Sequence, residues 1–379
     1  KTHQQGEGMS QLALKFDALA SHDITYVGII QTARASGLEA FNVPYVLTNC
    51  HNSLAAVGGT INEDDHLFAW TAAKKYGGIY VPPHLAVIHQ YMRETMAGVG
   101  RMILGSDSHT RYGALGTLAI GEGGGELAKQ LMGRTYDIPY PEIVAIYLTG
   151  KPIEGVGPLD VALCLIKAVF SGGLVTNKVL EFIGDGIEGL DVEYRSAIDV
   201  MTTETACLSS IWKTDYKVKD YYQLHGRATH FEDLAPDALA YYDQLITIDL
   251  SKIVPMIAMP FHPSHVYRLQ DLIENPKEIL DVAAVEASRM TGIKRTSLDW
   301  EKHINNGGFY VQQGIIAGCA GGTYHNIAAA ERLLRGKSTG DGFFSLSVYP
   351  SSQPTQIALV QQGIAESLMK SGAIWRTAF

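Results

Sequence analysis

The chain has 379 residues, 46% hydrophobic and 18% charged, with 39 acidic against 30 basic side chains and a formal net charge of −9. That length predicts two or three domains with sizeable cores, and the composition excludes intrinsic disorder. The acidic balance argues against a broad nucleic-acid-binding face, and no apolar run reaches the ~18 residues of a membrane span, so neither is an expected partner. Four cysteines (Cys50, Cys164, Cys207 and Cys319) are spread without any Cys-x-x-Cys, and the first residues lack a signal-peptide core. Both features predict a reducing, cytoplasmic setting.

In chain order, residues 24–30 read as a strand leading to Gln31, and residues 43–48 as a second strand ending at Cys50-His51-Asn52. Residues 64–77 read as a helix, with Asp64 and Asp65 at its start and Lys74 and Lys75 near its end, as the helix dipole prefers. His89 follows, and then the apolar run Met102-Ile103-Leu104 reads as a buried strand. After it comes Gly105-Ser106-Asp107-Ser108-His109-Thr110. Polar groups just past the carboxyl end of a strand are where α/β proteins place their chemistry, although Asp-Ser-His alone also suits a capped turn. Gly113, Gly116, Gly121, Gly123, Gly124 and Gly125 are too dense for one helix and suit backbone that passes close to another segment or a ligand. No Gly-Lys-Ser/Thr follows, and Glu122 sits inside the run, which excludes a phosphate-binding loop.

A strand at residues 143–148 is expected to close a first unit, residues 1–150. A second unit, residues 151–263, holds a helix at 159–170, strands at 179–183 and 245–250, and a helical stretch at 193–211. Pro255, Pro260 and Pro263 mark its end. The last unit, residues 264–379, has a strand at 310–317, a glycine-rich turn around Cys319, a helix at 325–334, a strand at 344–349 and one helix at 353–370. Ile374 then begins a further strand or its exit. The alternation predicts an α/β fold with mostly parallel sheets flanked by helices.

Together these residues resemble the aconitase and isopropylmalate isomerase superfamily of hydro-lyases. Residues 105–116 match its Gly-x-Asp-Ser-His-Thr signature with the glycine tail, and the resemblance extends over nearly the whole chain. It implies an aconitase-like three-domain α/β core whose third domain is incomplete here. A swivelling domain would lie further along the same chain or in a separate subunit. It also implies that His51, His89, Asp107, His109 and Glu204 are catalytic, with His89 pairing Asp107 and His109 pairing Glu204. Gln31 and Ser108 would bind substrate. Cys319 would be the first ligand of a [4Fe-4S] cluster, with the other two expected beyond Phe379. The implied reaction dehydrates and rehydrates a di- or tricarboxylate hydroxy acid, and residues 1–379 alone would be an inactive fragment without the cluster. An isopropylmalate isomerase large subunit and a cluster-free regulatory or RNA-binding relative are the alternatives.

Two departures from the pattern point to a divergent branch. Cys50 stands where an Asp usually precedes His51, and Ala320-Gly321-Gly322 replaces a Thr-Asn-Ser type of turn after Cys319. Dehydration needs a Lewis acid or a proton on the leaving hydroxyl, and an imidazole paired with a carboxylate can carry that proton near neutral pH. His89 with Asp107 and His109 with Glu204 are expected to be such pairs. His22, His66, His84, His225, His230, His262 and His265 are expected to be structural. Cys50, His51 and Cys319 could supply zinc ligands, but no compact Cys/His spacing supports a structural zinc site.

Overall fold

The computed structural model describes residues 10–52 and 60–378. The chain runs through β1 (Gln11–Leu14), β2 (Ala18–His22), α1 (Tyr26–Ala35), β3 (Tyr45–Thr48), α2 (Thr60–Tyr76), β4 (Ile79–Val81), α3 (Ile88–Thr95), β5 (Met102–Gly105), β6 (Leu118–Gly121), α4 (Gly124–Leu131) and β7 (Tyr136–Pro139). Strands β2 to β6 form a parallel sheet in the order β4-β3-β2-β5-β6, while β1 and β7 pair antiparallel beside it. The chain travels from β2 to β3 to β4, then crosses back over β2 to lay down β5 and β6. That reversal makes β2 the switch point, and the crevice at its carboxyl end is where such sheets hold ligands.

Residues 24–30, expected as a strand, belong mostly to α1. Tyr26, Ile29, Ile30 and Ala33 recur at helical spacing and form its buried face. The strand is the preceding Ala18–His22, buried at every residue because helices cover both faces of the sheet. Alternation along the strands sorts the core. Leu19, Leu47, Leu104 and Ile120 face one side, with Tyr26, Ile30 and Leu127. Ala18, Ala20, Val46, Ile103 and Ala119 face the other, with Ile88 and Met92.

Next come β8 (Ile143–Thr149), α5 (Pro158–Val169), β9 (Val179–Ile183), α6 (Val192–Met201), β10 (Ser209–Trp212), α7 (Tyr216–Leu224) and β11 (Gln244–Asp249). They build a second parallel sheet in the order β10-β9-β8-β11. β8, expected to close the first unit, pairs among the described residues with β9 and β11 of this sheet. The helical stretch expected at 193–211 stops early. α6 gives way to a 3₁₀ turn at residues 202–205, Ala206 takes a left-handed φ of 61°, and β10 follows. Phe182 and Trp212 stack with ring centroids 4.0 Å apart in this core.

The remaining chain forms the hairpin β12 (Met256–Ala258) and β13 (Val266–Arg268), which straddles the boundary expected at residue 263. Then follow α8 (Leu269–Glu274), α9 (Pro276–Thr291), a short hairpin of β14 (Ile304–Asn305) and β15 (Gly308–Phe309), β16 (Gln313–Ile316), α10 (Gly318–Gly321), α11 (Tyr324–Leu334), β17 (Ser345–Val348), α12 (Gln353–Gln361), α13 (Ile364–Lys370) and β18 (Ile374–Trp375). β16, β17 and β18 make a third parallel sheet. The single helix expected at 353–370 is two, because Gly363 breaks it at a φ of 72°. Among the described residues, no helix is long and apolar enough to cross a membrane.

Candidate active site

The carboxyl ends of β2, β3 and β5 deliver His22, the Cys50–His51 pair and Asp107 into the switch-point crevice. α3 adds His89 from one side of the sheet. Asp107 is the hub. One carboxylate oxygen meets His89 Nε2 at 3.1 Å, and the other meets His51 Nε2 at 3.1 Å and lies 3.7 Å from His22 Nε2. The backbone amide of His109 donates to Asp107 at 2.7 Å, and His109 Nδ1 lies 3.4 Å away. Burial alone would raise the Asp107 pKa, but hydrogen bonds from three imidazoles outweigh it and hold the carboxyl well below its usual range.

The four imidazoles differ. His89 is buried, and desolvation lowers its pKa despite the Asp107 bond. Its other ring nitrogen, Nδ1, lies 3.1 Å from the Tyr112 hydroxyl. A neutral ring that donates through Nε2 to Asp107 and accepts from Tyr112 satisfies both contacts. The expected pairing of His89 with Asp107 is seen, and the lowered pKa favours the neutral ring over the protonated one. A full complement of partners is not enough to charge it when no solvent reaches it. His22 is also lowered, to about 4, first by burial and then by the neighbouring His51, whose ring lies 3.8 Å away. His51 and His109, each about a third exposed, behave oppositely. Burial disfavours their charge, but for His51 the bonds to Asp107 and Cys50 prevail and raise it to about 10. For His109 the bonds to Asp107 and Glu204 prevail and raise it to about 9.

Glu204 comes from the 3₁₀ turn of the second sheet and meets His109 Nε2 at 3.1 Å. His109 in turn lowers the Glu204 pKa. The loop after β5 reaches this turn because glycines let it lie flat against its neighbours. A Cβ on Gly113 would sit inside the Ser210 carbonyl, and one on Gly121 inside the Asp107 carbonyl. The Asp199 carboxylate accepts from the Ala114 amide at 3.3 Å, Arg111 donates to the Cys207 carbonyl at 3.0 Å, and Ser209 to the Ala119 carbonyl at 2.6 Å. Ser108 is exposed at the mouth, its hydroxyl 3.4 Å from His109 Nδ1 and its carbonyl bonded by Thr203 at 2.6 Å.

Of the residues named from the sequence, His51, His89, Asp107, Ser108, His109 and Glu204 meet in this one crevice. Gln31 does not join them in any described contact. It is exposed on α1, with its amide oxygen accepting from Arg34 at 3.1 Å. His22, expected to be structural, takes a place among them instead. Asp23 was also missed. It accepts from the backbone amides of His51 and Asn52, each at 2.9 Å, and its carboxylate lies 3.1 Å from His66 Nε2. A signal for both existed, since an apolar run ending in His-Asp precedes the run read as a strand, just as Met102-Ile103-Leu104 precedes Asp107.

Cys319 lies on α10, and its carbonyl accepts from the buried Arg93 of α3 at 2.8 Å. It packs against the core cluster that also holds Cys50 and Met92, and burial pushes its thiol pKa up. A cubane with one open iron needs three thiolates. Of the four cysteines, Cys164 and Cys207 pack in the core of the second sheet, which leaves Cys50 and Cys319 beside the crevice. The described residues therefore do not by themselves make such a cluster site.

Residues 1–379 match the family described as Aconitase family (aconitate hydratase). The chain is 27% identical over 388 residues to the mitochondrial aconitate hydratase of Saccharomyces cerevisiae, covering 97% of this chain and 46% of that protein. It is 26% identical over 388 residues to the probable mitochondrial aconitate hydratase of Dictyostelium discoideum, with the same coverage. It is 28% identical over 313 residues to 3-isopropylmalate dehydratase large subunit 2 of Archaeoglobus fulgidus, covering 82% of this chain and 66% of that one. The chain spans about half the length of the aconitate hydratases it matches. With its full length matched and the signature loop forming the hub of a switch-point crevice, the chain belongs to the aconitase family.

Proposed function

We propose that this chain carries the acid half of a hydro-lyase that reversibly removes water from a di- or tricarboxylate hydroxy acid. The observation that supports this most is His109, held between Asp107 and Glu204 at the mouth of the crevice and about a third exposed. Expelling hydroxide requires a proton on the leaving oxygen. With a pKa raised to about 9, His109 is charged at neutral pH, and the proton it would deliver is the one on Nδ1, whose 3.4 Å contact with Asp107 is the longer of its two carboxylate contacts. Glu204 orients the ring and stabilises its charge. Asp107 fixes the ring's other edge, and the neutral His89 fixes Asp107. The exposed Ser108 hydroxyl, beside the His109 ring, suits a hydrogen bond to a substrate carboxylate or hydroxyl. In the reverse direction His109 takes the proton from the water that adds across the double bond.

The names of the relatives suggest tricarboxylate and branched dicarboxylate hydroxy acids as the first substrates to test. The test is an anaerobic hydration and dehydration assay of the protein carrying this chain, after reconstitution with iron and sulfide. It would follow the absorbance of the unsaturated acid in wild type and His109→Gln. The expected result is turnover in wild type and a fall in kcat of about 10²–10⁴-fold in the variant, the range of a lost general acid. Equal turnover by both proteins would sink the assignment of His109.

A further inference from the structure

We infer a separate site on the far side of His51, in which Cys50, His51 and Asp23 form a three-ligand seat for a divalent transition metal of the zinc class. It goes beyond the hydro-lyase reading and does not rest on it. Cys50 Sγ lies 3.3 Å from His51 Nδ1, and Asp23 Oδ1 lies 3.9 Å from the same nitrogen. One ligand atom from each of the three residues falls within 4.8 Å of the others. Four-coordinate zinc, with bonds of about 2.0–2.3 Å, sets its ligand atoms roughly 3.3–3.6 Å apart. The observed separations need shifts of a few tenths of an ångström at the two measured contacts.

The surroundings orient each ligand as metal sites do. A ligating imidazole usually donates its other nitrogen to a carboxylate, which fixes the ring and its tautomer. His51 Nε2 meets Asp107 at 3.1 Å, so Nδ1 is the nitrogen turned towards Cys50 and Asp23. Asp23 is buried and fixed in turn by two backbone amides and by His66 Nε2 at 3.1 Å. His66 Nδ1 has no partner among the described residues, which agrees with its proton lying on Nε2, towards Asp23. Thr48 Oγ1 lies 3.7 Å from the Cys50 sulfur. On binding, the Cys50 thiol and His51 Nδ1 would release their protons to solvent, while Nε2–H stays on Asp107.

Ligand chemistry narrows the metal. One thiolate, one imidazole and one carboxylate make a mixed soft and hard set that favours zinc, cobalt or ferrous iron over magnesium or calcium. Three protein ligands leave a fourth position for water or a small molecule, the pattern of an open site. The partly exposed ring of His51 gives that position access to the crevice. A rival grouping, His22 with His51 and Asp107, is also compact. However, the Ile24 amide donates to His22 Nδ1 at 3.2 Å, which leaves Nε2 protonated and without a lone pair for a metal.

The test uses Co²⁺ as the probe on chelator-treated protein, with Zn²⁺ as competitor and circular dichroism to check folding. Wild type should take up about one Co²⁺ per chain at this site, with a sulfur-to-cobalt charge-transfer band that Zn²⁺ abolishes. Cys50→Ser should lose the band, Cys319→Ser should keep it, and His66→Gln should weaken binding about 10–100-fold, as loss of an orienting partner does. Cys50→Asp should bind Co²⁺ without the band, which keeps the sulfur assignment testable even if Cys50→Ser folds poorly. No band in wild type, a band that survives in Cys50→Ser, or one that disappears in Cys319→Ser would each overturn the site.

Discussion

His89 and Arg93 lie one turn apart on α3, and through them a single helix holds both Asp107, at 3.1 Å, and the Cys319 carbonyl, at 2.8 Å. Arg93 is buried and donates also to the Ser196 carbonyl of α6 at 3.2 Å. One side chain thus ties the first sheet to α6 and to the α10 turn. Replacing it by Met would remove both of these charge-assisted bonds, worth roughly 1.5–3 kcal/mol each. For Arg93→Met we expect a lower denaturant midpoint and faster amide exchange in α10 and the neighbouring turn of α6. Unchanged exchange there would show that the tie is not holding these segments.

Gly113 is predicted to tolerate no side chain, because the Ser210 backbone occupies the place of a Cβ. Forcing even one methyl into a packed contact costs roughly 1–3 kcal/mol. Gly113→Ala should also move the loop away from the second sheet and loosen the His109–Glu204 contact. Nuclear magnetic resonance titration of His109 reads that out directly, as a pKa that drops from about 9 towards its ordinary value.

The same pair sets a pH dependence whose sign is fixed. His109 has a raised folded pKa, so its contribution to stability is complete below its ordinary value of 6.5 and is lost as pH rises through about 9. Glu204 has a lowered one, so its contribution is complete above 4.5 and is lost as pH falls through the lowered value. The stability difference between wild type and Glu204→Gln should be greatest between about pH 4.5 and 6.5 and should fade by about pH 9. Both groups are partly exposed, so screening keeps the difference modest and salt should shrink it further. Denaturant unfolding of the two proteins across that range checks it. A difference that grows at high pH would contradict the assignment.

Phe182→Ala serves as a contrast. Its ring stacks on Trp212 in the second core, far in character from any titrating group, and truncating a buried aromatic costs about 3–5 kcal/mol. The variant should unfold more easily while His109 still titrates near 9 under native conditions.

Particular residues explain what the sequence could and could not convey. Asp107 and His109 were legible because they lie in a recognisable signature, and Glu204 only through the family resemblance; their meeting follows from that loop packing on the second sheet. Strands such as Val179–Ile183 were legible because they are short, apolar and bounded by polar turns. Residues 24–30 misled because β-branched side chains at helical spacing satisfy either reading over so short a span. That error hid His22 and Asp23 behind the true strand. The membership of β8 depends on which partners accept its backbone bonds, and periodicity along one strand cannot encode that. The protonation states were the least legible. His89 and His109 face the same carboxylate, but His89 is buried with its other nitrogen on the Tyr112 hydroxyl, whereas His109 is partly exposed and has a second carboxylate, Glu204.

Glu204 and the glycine-tailed loop belong to different sheets, and that division makes the acid conditional. With the second sheet withdrawn, Asp107 would keep His51 and His89, but His109 would lose the carboxylate on its Nε2 side and much of its hold on a proton. A newly made or partly unfolded chain would therefore keep His51 charged beside Asp107 but hold the His109 proton less firmly. The full hold on the His109 proton and the docking of the two sheets therefore arrive together.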